Sequence, residues 1–219
     1  MDSVLNSIKQ VDKKYYSQPK YSTLDRFITY FYQIDSVRKT EAKKVLLIGV
    51  GDGAVPFYLE KVLGLEITTC DIDAELNPTV TADIRQLPFS ENEFDCVCAF
   101  EVLEHIPFEE AEKAYYELVR VSKKNVIISI PHRRTGFELV FKFPYARSLV
   151  KKDYLRLALR LPVKFPGFAI SKQHYWEIDW YTTKLSKVRS LFKSKCKITS
   201  ETTPVLDMYR RFFVLEKKN

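Results

Sequence analysis

Hydrophobic positions fall into two rhythms that alternate along most of the chain. Val45–Ile48 (VLLI) is a short run bounded by Lys44 and Gly49, the pattern of a strand buried on both faces. Behind it, Val55, Leu59, Val62 and Leu63 recur at helical spacing. Leu65–Cys70 predicts a second strand that ends in Asp71, and Val80–Asp83 a short third one before the turn at Pro88. Phe94–Phe100 (FDCVCAF) predicts the next buried strand. Pro107 then opens a helix with Glu109, Glu110 and Glu112 at its start and a stripe of Ala111, Ala114, Tyr115, Leu118 and Val119. Val126–Ile130 predicts a fifth strand, stopped by Pro131. A helix over Thr182–Phe192 and two strands, Lys197–Thr202 and Arg210–Glu216, complete the pattern.

Residues 1–40 read as helical. Val4, Ile8 and Val11 share one face. Leu24, Ile28, Phe31 and Tyr32 share another, with Ser22 or Thr23 as the cap and Asp25 in the first turn. This cap packs across the sheet's edge or over its ligand face, and both a packing role and a lid role fit.

Repeated strand–helix alternation with apolar strands defines an α/β fold: a mostly parallel sheet covered by helices on both faces. Ligands of such sheets sit beyond the carboxyl ends of the strands. At the first of those ends stand Gly49, Gly51 and Gly53 on alternate positions. A glycine turn opening a helix lets backbone approach a ligand where N–H groups are unpaired and the dipole is positive. By itself the motif also fits a dinucleotide fingerprint, with Asp71 about 20 residues on. An NAD-dependent oxidoreductase, or a tight turn without a ligand, therefore stays open at this point. Asp71, Asp83, Phe100 with Glu101, and His132 mark four further strand ends on the same edge. An acid in the place of Asp71 suits ribose hydroxyls, and Asp83 suits an exocyclic amine.

The 219 residues, 46% hydrophobic and 29% charged, describe one ordinary α/β domain with embellishments. No apolar run approaches a membrane span, the N-terminus lacks an apolar leader core, and the four cysteines show no disulfide spacing, so a cytoplasmic location is expected. Cys96 and Cys98 share a strand face; zinc is the sharper reading of the pair and core packing the preferred one. No metal site is assigned. Charge changes the picture more. Arg133–Lys164 carries nine Lys/Arg against two acids, which equals the whole formal net charge of +7. Phe137, Leu139, Phe141, Leu155, Leu157 and other apolar residues are interleaved with those bases. The pattern suits an interfacial helix on an anionic membrane, such as the inner membrane face, a phosphate-bearing acceptor, an RNA backbone or a solvated lid. No RNA-binding module accompanies it, so nucleic acid ranks below a lipid-linked or glycan-type acceptor.

Three stretches carry a resemblance: LLIGVGDGA (46–54), TADIRQLPFSENEFDCVCAFEVLEHI (81–106) and EEAEKAYYELVRVSKKNVIISIP (109–131). On them the chain resembles the class I S-adenosylmethionine-dependent methyltransferases of the small-molecule, type 11-like kind. The resemblance implies a Rossmann-like, mostly parallel seven-stranded sheet with helices on both faces and an antiparallel last strand. It implies a helical cap over 1–40 and a methyltransferase domain over 41–219, with 133–180 inserted as a basic, aromatic acceptor site. It implies S-adenosyl-L-methionine as cofactor and a small-molecule, lipid-linked or glycan-type acceptor. Gly49, Gly51 and Gly53 would border methionine and ribose, Asp71 with Ile72 the ribose, Asp83 with Ile84 the adenine. Phe100 and Glu101 would lie near the sulfonium. The family usually has an acid two positions before the first glycine, where this chain has Leu47. His132, His174, Glu101 and His105 are the candidate proton-handling groups. A non-catalytic, membrane-peripheral relative is the other reading.

Overall fold

The computed structural model describes residues 13–16, 18, 21–133, 136–142, 144–145, 147, 154–160, 173–180 and 183–218. The expected face of Val4, Ile8 and Val11 lies outside them.

Seven strands form the central sheet: β1 (Lys44–Ile48), β2 (Glu66–Asp71), β3 (Val80–Thr81), β4 (Phe94–Phe100), β5 (Ser122–Pro131), β8 (Cys196–Thr202) and β9 (Arg210–Lys217), in the order β3-β2-β1-β4-β5-β9-β8. The first five are mutually parallel, and β9 runs antiparallel to both β5 and β8. Strand order reverses beside β1, which makes the carboxyl ends of β1 and β4 the natural crevice.

Period-two alternation divides β1 between two cores. Leu46 and Ile48 face one layer with the helices α3 (Phe108–Val121) and α4 (Leu185–Lys195). Val45 and Leu47 face the other, with α1 (Leu24–Arg38) and the glycine helix α2 (Ala54–Phe57), which a π-helical stretch (Tyr58–Val62) continues. Leu47 is therefore a core residue. Cys96 and Cys98, their sulfurs 3.8 Å apart, are fully buried in that same apolar layer. On the opposite layer the Tyr115 hydroxyl donates to the Phe192 carbonyl at 2.6 Å, joining α3 to α4.

Three expectations are corrected. The last helix runs Leu185–Lys195, displaced from 182–192. On α1, Thr23 does cap the N-terminus, but Leu24, Phe27 and Phe31 are exposed while Thr29, Gln33 and Val37 face inward. Part of the reason is a neighbour distant in sequence: α1 also meets the 205–209 segment, where Thr29 Oγ1 donates to Asp207 Oδ2 at 3.1 Å and the Tyr32 hydroxyl accepts from Val205 N at 3.0 Å. The third correction concerns the basic insertion. Most of the described part of 133–164 is an antiparallel pair, β6 (Gly136–Phe141) with β7 (Leu155–Arg160).

Candidate active site

At the carboxyl ends of β1, β2 and β4 lies a cavity of about 420 Å³, an ordinary size for a cofactor pocket. Its floor is the glycine turn. Gly49 and Gly51 take left-handed φ values of +84° and +60°, and Gly53, at +81°, precedes the first turn of α2. Asp71 braces this turn: Oδ2 accepts from Val50 N at 2.7 Å and Oδ1 from Asp73 N at 2.9 Å. Burial raises its pKa against those hydrogen bonds. A second brace comes from α1, where the Tyr30 hydroxyl donates to Asp52 at 2.6 Å.

Gly49, Gly51, Asp71, Ile72, Asp83, Ile84, Phe100, Glu101, His105 and His174 all line the cavity. Asp83 does so with its carboxylate engaged. Both oxygens accept from the Arg85 guanidinium at 2.5–3.0 Å and Oδ1 also from Arg85 N at 2.8 Å, filling its four lone-pair directions. The pairing holds Asp83 below the usual carboxylate range against its partial burial. Direct acceptance of an adenine amine by this carboxylate is thus displaced, in this conformation, by Arg85.

Glu101 stands at φ +56°, a left-handed corner after β4. The corner turns its side chain to Ser129 Oγ, which donates at 2.8 Å, and to the Arg210 guanidinium at 3.3 Å. Three residues on, Glu104 is fully buried, and burial together with the nearby Glu101 charge drives its pKa well above the carboxylate range. His105 follows; burial and the neighbouring His174 push its imidazole down to about 4.

Residues 173–180 reach the site because their backbone is pinned to it. Tyr175 N donates to Glu104 O at 2.8 Å, the Trp176 indole to Ile106 O at 3.0 Å, and Ile178 bridges His132. This sets His174 beside His105, ring centroids 4.9 Å apart.

Two candidates stand outside the cavity wall, Gly53, which precedes the glycine helix, and His132. The latter is 1% exposed and has both ring nitrogens engaged. Arg211 Nε donates to its Nδ1 at 2.9 Å, so Nε2 carries the proton toward Asp179 at 2.8 Å. Its place is a neutral pin between β5, β9 and the 179 turn. Sequence reasoning also passed over Tyr16, Tyr21, Tyr30, Glu104 and Arg210, all in the cavity wall. The tyrosines sit far from any motif; Glu104 was visible as the residue before His105.

A family model described as a methyltransferase domain matches residues 46–130. That match covers 85 of the 219 residues; with the strand order and the glycine rim, it marks a region similar to a methyltransferase domain within a class I, Rossmann-like methyltransferase fold. The dinucleotide reading of the glycine turn gives way to it. No curated protein matches the chain. Among solved structures it is similar to the magnesium protoporphyrin IX methyltransferase of Synechocystis PCC 6803 with bound S-adenosylmethionine, at 15% identity and TM-score 0.58, over 99% of this chain and 97% of that one. It is also similar to an S-adenosylmethionine-dependent methyltransferase of Clostridium acetobutylicum ATCC 824, at 11% identity and TM-score 0.58, over 94% and 97% of the two chains. A third is a methyltransferase of Aquifex aeolicus, at 14% identity and TM-score 0.57, over 95% and 100%. At these identities the likeness is one of fold.

Proposed function

We propose that the protein methylates a small-molecule acceptor with an apolar part, or one carried on a lipid, that approaches the cavity from the β6–β7 side. The observation that carries this is an uncovered apolar face. Phe137, Leu139 and Phe141 stand opposite Leu159, Leu157 and Leu155, and all six are 44–55% exposed. A two-stranded sheet with one naked apolar face marks a surface that meets something apolar. The pair is anchored beside the cavity: Arg156 donates to the carbonyls of Thr203 and Pro204, and Leu206 N to Glu138, three residues before the cavity-lining Tyr209. Among the described residues no helix is long and apolar enough to cross a membrane.

The residues fit the cofactor. A Cβ on Gly51 would meet nothing within 4 Å, an open cradle on the cavity floor, and Asp71 keeps acceptor capacity beyond its two backbone bonds. In this reading the glycine turn holds the methionine end, Asp71 the ribose, and Ile72 and Ile84 sandwich the base. Phe100 and Glu101 flank the sulfur. When bound, S-adenosylmethionine supplies an electrophilic methyl group. The chain's part is to hold the acceptor atom in line at about 3–3.5 Å in a dry site, worth roughly 7–11 kcal/mol of the barrier. Tyr16, Tyr21 and Tyr30 add aromatic wall to the cavity, and Glu101 is placed to take a proton.

Incubating the protein with methyl-labelled S-adenosylmethionine and fractionated extract tests the acceptor class. Label in organic-soluble product, lost in Leu139→Asp/Leu157→Asp while cofactor binding persists, is the expected result. Label confined to RNA, or unaffected by the double variant, would overturn it.

A further inference from the structure

Glu104 is the most costly side chain in the cavity wall. It is fully buried, and neither carboxylate oxygen has a hydrogen-bond partner among the described residues. Burying the charged form this way is expensive unless the carboxyl takes up a proton or a cation meets it. The available guanidinium is already shared: Arg210 donates to Asp207 at 2.7 Å and lies 3.3 Å from Glu101. Glu177, also fully buried, adds a further carboxylate.

Two imidazoles converge on the same point. One ligand atom each from Glu104, His105 and His174 lie within 4.8 Å of one another, so a common centre exists within about 2.8 Å of all three. Metal–nitrogen and metal–oxygen bonds of ~2.0–2.2 Å need a contraction of only several tenths of an ångström. The outer contacts orient both rings. His105 Nδ1 is 2.9 Å from the Gln173 carbonyl, which can only accept, so Nδ1 carries the proton and Nε2 the lone pair. His174 Nδ1 is 2.8 Å from Glu177 Oε1, itself held by the Tyr209 hydroxyl at 2.7 Å. Carbonyl and carboxylate acceptors behind the rings are the usual second shell of a histidine metal ligand.

We propose that Glu104, His105 and His174 bind a divalent transition-metal cation whose open positions face the cavity and take an oxygen atom of the acceptor. One carboxylate and two imidazoles suit Mn²⁺, Fe²⁺, Co²⁺ or Zn²⁺ better than the all-oxygen cations. The sequence reading assigned no metal because His174 lies 69 residues beyond His105 with no ligand spacing to flag it. The cation site stands on its own geometry; the acceptor assignment rests on the methyl-transfer reading. There it selects a hydroxyl, since a cation lowers the pKa of an oxygen bound to it. The O–H proton leaves to Glu101 or water, the oxygen forms its bond to the methyl carbon, and sulfur keeps the electron pair of the broken C–S bond.

The test is a titration of the chelator-treated full-length protein with MnCl₂, followed by calorimetry and by the paramagnetic resonance of free Mn²⁺. One site per chain of micromolar affinity is expected, weakened at least 100-fold in Glu104→Gln and separately in His174→Asn, both melting within a few degrees of wild type. Absence of a site for Mn²⁺, Co²⁺ and Zn²⁺ alike, or equal binding by the folded variants, overturns the proposal. S-adenosylhomocysteine titrated into the same metal-free sample separates the two readings. Nucleoside binding without metal binding rejects the cation site alone, and metal binding without nucleoside binding rejects only the hydroxyl-acceptor role.

Discussion

Gly49 and Gly51 look alike in the sequence but have different reasons to be glycine, and alanine substitution separates them. Both hold left-handed φ, which costs an alanine about 1–2 kcal/mol. At Gly49 a Cβ would also stand 2.9 Å from Val102 Cγ2, a stiff β-branched side chain next to the β4 corner. Forcing that contact adds about 1–3 kcal/mol. At Gly51 the same atom enters the open cavity floor. Urea unfolding should therefore show Gly49→Ala destabilised by ~2–5 kcal/mol and Gly51→Ala by ~1–2 kcal/mol. Calorimetry with S-adenosylhomocysteine should show the larger affinity loss per unit of stability in Gly51→Ala. Adding Val102→Ala should return part of the loss in Gly49→Ala, a coupling of about 1 kcal/mol or more, and none in Gly51→Ala. Equal destabilisation of the two single variants, with no coupling to Val102, would refute the close approach at Gly49.

Asp71→Asn should lower S-adenosylhomocysteine affinity about 10- to 100-fold, since charged acceptors are worth roughly 1.5–3 kcal/mol per hydrogen bond. Asp83→Asn should cost less than about threefold, because Arg85 already fills that carboxylate; the reverse order in calorimetry would contradict both assignments. His105, with its imidazole pushed from the ordinary 6.5 to about 4, is neutral at pH 6, and an NMR titration of its ring should find a midpoint near 4. Between those values the unfolded chain binds the extra proton. Its stabilising effect is therefore complete above about pH 6.5 and lost as pH falls toward 4, by at most about 1.4 kcal/mol per pH unit. A midpoint near 6.5 would contradict the burial. His132→Ala should destabilise by about 1–3 kcal/mol, because it removes one partner each from the partly buried Asp179 and Arg211, yet change cofactor affinity less than threefold; a large affinity loss at unchanged stability would restore it to the site.

The sheet was legible because parallel strands buried on both faces leave uninterrupted apolar runs, and the ends of β1, β2 and β4 then follow from topology. The β6–β7 pair was also written there: Phe137, Leu139, Phe141 and Leu155, Leu157, Leu159 alternate with period two, a strand signal that a reading by composition and charge passes over. The inward face of α1 was not legible, because Thr29 and Tyr32 find their partners, Asp207 and Val205 N, at the far end of the chain. For the same reason no local pattern could bring His174 to His105. That meeting depends on Tyr175, Trp176 and Ile178 docking against residues some 45–70 positions earlier.

The account turns on a sulfonium nucleoside occupying the rim between the glycine turn and Asp71. Isothermal titration of the full-length protein with S-adenosylmethionine, with NADH run beside it, tests this most directly. One site per chain for S-adenosylmethionine, weakened by Asp71→Asn, and no heat with NADH is the expected outcome. A flat S-adenosylmethionine isotherm from folded protein, or tighter binding of NADH, would contradict it.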